Sequence, residues 1–169
     1  MRRAVVYVFL IAAGITAGAL TAPSVFAAAA TVRITSVRVD GTDRDPRFVV
    51  NGSGFGAKPQ AKGPPSSSAS CRGQQALGNN GQNFGSRLFF IDLANKFSGG
   101  LCGPYGGYSN VVDCVGLIVS SYTSTRVVFT LGGDYQKHPY TVGNGDRVTF
   151  HVAGATATIA VRYGKTVTA

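Results

Sequence analysis

The chain has 169 residues, with 16 Lys and Arg against 7 acids and a formal charge of +9. All seven acids are Asp, so Glu, a frequent general acid, is missing, and the absence of Trp removes the core marker of antibody-type domains. The basic residues are scattered rather than gathered into a Lys/Arg run, which argues against a nucleic-acid-binding patch.

The N-terminus carries Arg2 and Arg3, then an uncharged run of 17 residues at 4–20, then Pro23 and a small-residue tract ending at Ala30. This is the layout of a secretory signal peptide, with cleavage expected after Ala27, Ala29 or Ala30, most simply at Ala30. An uncleaved signal anchor is the alternative, since 17 residues is near the lower limit for spanning a bilayer. No later run is long and apolar enough to span, so the expectation is a chain exported without stable membrane insertion after cleavage. Cleavage at Ala30 leaves residues 31–169 as one domain and, by removing two arginines, lowers the charge to +7. Such a charge would draw the protein toward an anionic surface or polymer.

The mature chain reads as short strands. Residues 32–39 and 47–52 are the first two, joined by an Asp- and Gly-rich turn at 41–46. Asp40, Asp43 and Asp45 around this turn are the candidate oxygen ligands for Ca²⁺, although the spacing is not that of an EF-hand and Arg44 and Arg47 intrude. The simpler expectation is an Asp-rich turn and no cofactor. Residues 57–113 form a loop-rich insertion. Its first part, to about 87, is rich in Pro, Ser, Gly and Asn and has little to bury. The dense apolar run at 88–93 is a buried strand within it, and 95–113 is again loop, with Phe97, Tyr105 and Tyr108 as aromatics. Tyr105 and Tyr108 are candidate ligand-binding residues that could stack on a sugar ring; the alternative is that they fold onto the domain edge.

Cys71, Cys102 and Cys114 leave one thiol over if two pair in an oxidising compartment. Cys71–Cys114 is preferred, because closing the longer loop removes more unfolded-state entropy, about 4 kcal/mol in the chain-entropy model. Cys102–Cys114 is the alternative, and the odd thiol could join two copies as a disulfide-linked dimer. Strands return at 115–121 and 126–131. A connection at 132–145 ends in Asn144-Gly145, a strong turn pair, and a hairpin follows at 146–152 and 155–163 around Gly154. Val148, Phe150 and Val152 share one face, which places His151 on the other, at the surface. Neither His138 nor His151 sits in a metal-ligand spacing, and no Gly-x-Ser-x-Gly elbow occurs.

About seven short strands with turns between them and no helical periodicity indicate an all-β sandwich. Ile34-Thr35-Ser36-Val37, the bend Gly52-Ser53-Gly54-Phe55-Gly56, the segment Tyr122-Thr123-Ser124-Thr125-Arg126-Val127 and Gly145-Asp146-Arg147-Val148 occur in an order that resembles IPT/TIG domains. Those are immunoglobulin-like sandwich modules found mostly in extracellular proteins. The resemblance covers about 32–56 and 117–163 and leaves 57–116 outside it. It implies a secreted or surface-associated binding or structural module, and it transfers no catalytic residue. The expected partner is an extracellular ligand, with a carbohydrate or anionic wall polymer as the more specific alternative. A small secreted hydrolase built on the insertion is the reading from a different class.

Overall fold

The computed structural model describes residues 31–61, 81–101, 113–137, 139 and 141–169. The first hairpin pairs β1 (Arg33–Thr42) with β2 (Asp45–Ser53) around the turn Asp43-Arg44. Alternation fixes its faces: Val37, Val39, Phe48 and Val50 point into the core, while Arg38, Asp40, Arg47 and Val49 stand on the opposite side. β2 pairs with β7 (Arg126–Leu131), which pairs with β6 (Leu117–Tyr122). The C-terminal β10 (Thr166–Thr168) lies along β1. The result is an antiparallel sheet of order β10-β1-β2-β7-β6.

The second sheet has the order β5-β4-β3-β8-β9. Its centre is β3 (Leu88–Asp92), buried at all five positions, flanked by β8 (Arg147–Val152) and β4 (Phe97–Gly99). β9 (Ala155–Ala160) closes the hairpin with β8, and β5 (Asp113–Val115) runs parallel to β4. The β8–β9 turn holds Ala153 at φ 53 and Gly154 at φ 98. Two successive positive φ values give the turn whose twist suits a tight hairpin.

The two sheets share one core. Phe48 of the first sheet stacks on Phe129 at 5.0 Å and meets Phe90 and Phe150 of the second at 5.2 and 5.6 Å. These rings and the valines around them are fully or nearly fully buried, and their apolar area is what drives the sheets together. The architecture is therefore all-β, two sheets packed face to face. A four-residue helical turn, α1 (Asp134–Lys137), interrupts the β7–β8 connection.

Three expectations about elements need correction. Residues 95–113 are not all loop, because β4 and the start of β5 lie within them and Phe97 is completely buried. The expected strand at 115–121 is two strands in different sheets: β5 ends at Val115, the chain breaks at Gly116, and β6 begins at Leu117. The last expected strand, 155–163, ends at Ala160. Tyr163 then makes a single parallel bridge to Val39 as the chain crosses to the first sheet and forms β10.

The bend after β2 has a physical reason for its composition. Phe55 is fully buried and its ring lies directly under Gly52. A Cβ at Gly52 would come within 2.1 Å of the Arg33 carbonyl oxygen and 2.4 Å of the Phe55 ring, so no side chain fits there.

Candidate binding surface

The β1–β2 turn is fastened to the α1 connection by side chains that bond backbone groups. The Tyr135 hydroxyl donates to the Asp43 carbonyl, and the Val142 N–H donates to the Tyr135 hydroxyl oxygen at 2.7 Å. The Tyr163 hydroxyl donates to the Val142 carbonyl at 2.7 Å, and the Arg44 guanidinium donates to the Gln136 carbonyl at 2.7 Å. Burial pushes the Tyr135 phenol up to about 12 and Tyr163 strongly upward, so both stay neutral and act as fixed hydrogen-bonding pegs.

The three turn carboxylates do not converge. Asp40 accepts from Arg38 Nε at 2.7 Å and lies 3.8 Å from Arg47. Asp45 is exposed at the start of β2, where its N–H donates to the Thr42 hydroxyl at 3.2 Å. Among the described residues no group of three His, Cys, Asp or Glu is placed to hold a metal ion.

A second polar cluster joins β3 to the start of β8. Buried Asp92 accepts from the Ala94 and Asn95 N–H groups, and the Asn95 amide donates both to Asp92 at 3.0 Å and to Asp146 at 2.9 Å. Burial raises the Asp92 carboxyl above its ordinary value, and the Asn95 hydrogen bonds oppose that rise. Asp146 also accepts from the Gly143 N–H. With these donors in place the cluster shapes the β3–β4 and β7–β8 connections rather than presenting a reactive pair.

His151 is not at the surface as its strand parity suggested. It is buried, its ring stacks on Phe89 at 4.0 Å and 7°, and Nδ1 is 3.0 Å from the Thr156 hydroxyl. Parity gave the correct face but not its exposure. The outward positions Phe89, Ile91, Thr149 and His151 at the centre of the second sheet are all buried. The preferred disulfide partner Cys71, the alternative Cys102, and Tyr105, Tyr108 and His138 lie outside the described residues. The backbone of Cys114 on β5 is described, opposite Ser98 in parallel register.

The outward face of the first sheet is different. Register places Ser36, Asn51 and Arg126 in one row, Arg38, Val49 and Val128 in the next, and Asp40, Arg47, Thr130 and Ile118 in a third. The Asn51 amide bonding the Ser36 hydroxyl at 3.2 Å confirms that the row shares one face. Arg33, opposite Ser53, extends the face at one end, and Thr166 and Thr168 of β10 extend it sideways. Val49 and Val128 are only 6% and 2% exposed although they stand on the side of the sheet away from the shared core. Among the described residues the face thus carries four arginines against two carboxylates, Asp40 and, at the turn end of β2, Asp45, on a five-stranded sheet about 19 Å wide, taking strands about 4.8 Å apart. No aromatic ring stands on it among the described residues.

Along the sequence these arginines look scattered, yet the signal is present in their strand parity. Arg47 shares parity with Val49 and opposes Phe48 and Val50, and Arg126 opposes Val127 and Phe129. Only the strand register shows that the two positions, 79 apart in number, belong to one surface.

Comparison of the chain with family models, with curated proteins and with solved structures returns no match.

Proposed function

We propose that this protein is an exported, non-catalytic binding module of the IPT/TIG-like kind, working through the surface of a sheet rather than through an enclosed pocket. One observation carries the reading. Two of the four segments that carry the resemblance, 52–56 and 122–127, are far apart in sequence and meet in space. The Gly52 N–H donates to the Thr125 carbonyl at 2.9 Å, the Phe55 N–H to the Ser124 carbonyl at 3.0 Å, and the Tyr122 hydroxyl to the Phe55 carbonyl at 3.2 Å. The bend and the strand entry form one structural unit, with Phe55 as its buried centre. The arginine-bearing outer face of the first sheet supplies a surface suited to binding. The signal-peptide layout of residues 1–30 supplies the compartment.

The test is to express the full chain and measure the intact mass of the protein in the external fraction, with and without thiol alkylation. The expected product begins within three residues of position 31 and lies outside the cytoplasmic membrane. Retention of the full-length chain in the cytoplasm would overturn the reading.

A further inference from the structure

We infer that the outward face of the β10-β1-β2-β7-β6 sheet binds a carboxylate-bearing polysaccharide. The inference rests on the reading of the protein as an exported binding module. It concerns the chemistry of the ligand and the residues that hold it.

Charge comes first. Arg33, Arg38, Arg47 and Arg126 stand on this face against Asp40 and, at its turn end, Asp45, and no carboxylate among the described residues pairs with Arg33 or Arg126. Asp40 is shared between Arg38 and Arg47, at 2.7 and 3.8 Å, toward the turn end of the β1–β2 hairpin. A planar guanidinium offers parallel donors that match a carboxylate or a phosphate in two-point contact, which a lysine does not reproduce, and the polyphosphate arm of the test separates the two. This face has arginines and no lysine among its described strand positions.

Spacing comes second. From strand separation and rise, Arg38 and Arg47 lie about 8 Å apart and Arg126 about 12 Å from Arg38, measured between their strand positions. Acidic groups that recur along an extended chain suit such a ladder better than one compact anion does. Between the arginines lie the hydroxyl and amide groups of Ser36, Asn51 and Thr130, suited to sugar hydroxyls.

The absence of rings on the face separates the remaining polyanions. Single-stranded nucleic acid is held by bases stacked on aromatic side chains, and that platform is missing from the described face. Neutral sugars offer the arginines no charge to meet, whereas a chain bound through carboxylates and hydroxyls engages them and needs no stacking platform.

The experiment uses the exported protein purified in its mature form. Its migration is measured in native gels containing polygalacturonate, dextran, polyphosphate or duplex DNA. Retardation is expected with polygalacturonate and not with dextran, and it should weaken steeply as salt rises, since exposed charge contacts are screened over about 8 Å at 0.15 M. Replacing Arg126 by Gln should weaken binding about two- to fivefold, and Arg38→Gln, Arg47→Gln and Arg126→Gln together about tenfold or more. Arg147→Gln on the other sheet should leave binding unchanged. Arg126 makes no side-chain contact that the fold depends on among the described residues, so its single variant keeps the test valid if the triple variant unfolds. No retardation by polygalacturonate, or equal retardation by duplex DNA and polyphosphate, overturns the inference. Neither result touches the export reading, which fails only on the location of the protein.

Discussion

At His151 parity and burial pull apart, and the consequence is a pH dependence with a definite sign. The ring lies against Phe89, and burial lowers its pKa below the ordinary 6.5. The unfolded chain therefore takes up a proton near pH 6.5 that the folded chain refuses. Stability is full above that pH and falls as the pH drops from 6.5 toward the lower folded value. The loss has an upper slope of about 1.4 kcal/mol per pH unit for one group. Asp92 acts in the opposite direction: its folded pKa is raised, so its contribution is lost as pH rises above 3.8. Comparing the protein with a His151→Gln variant cancels the Asp92 contribution. The expected outcome is a stability difference, from urea unfolding at pH 7.5 and 5.5, that moves toward the variant at the lower pH. A difference that stays constant across this range would show that His151 is not the titrating group.

At the scale of elements, the strands legible in the sequence are those long enough to show a period. β2, β7 and β8 each place three or more apolar residues in the strand, and β3 is apolar at four of its five positions. β4 is three residues, Phe97-Ser98-Gly99, entered from Lys96 at φ 56, and three residues cannot display alternation. β10 is equally short and is held by pairing with β1, a partner more than 120 residues away in sequence. Both are strands because of what lies beside them. Phe97 shows the energetic weight of the hidden element. Its ring meets Phe90 edge-on at 5.6 Å and Tyr135 at 5.7 Å. Phe97→Ala should destabilise the protein by about 3–5 kcal/mol, with Phe97→Leu clearly milder, as measured by urea unfolding. A surface loop residue would cost within about 0.5 kcal/mol, so the experiment separates the loop reading from the strand.

For the whole molecule, composition and turn signals made the sandwich class readable, while the candidate surface was not. That surface draws its arginines from β1, β2 and β7, and only pairing across strands brings them to one face. The same pairing puts Phe48 at the centre of the molecule, in contact with Phe129 of its own sheet and with Phe90 and Phe150 of the other. A core shared in this way ties the sheets into one cooperative unit, because neither sheet can open without exposing the same rings. Phe48→Ala should cost about 3–5 kcal/mol, a large part of the 5–15 kcal/mol typical of a domain. The loss should appear as one displaced transition. With no Trp in the chain, tyrosine fluorescence reports on tertiary contacts. Among the described tyrosines, Tyr122 lies on β6 of the first sheet and Tyr135 packs on Phe97 of the second. Far-UV circular dichroism reports the strands of both sheets. In Phe48→Ala the two signals should shift to lower urea together and remain superimposable. If the transitions separate, the sheets unfold independently and the shared core is not what holds the molecule together.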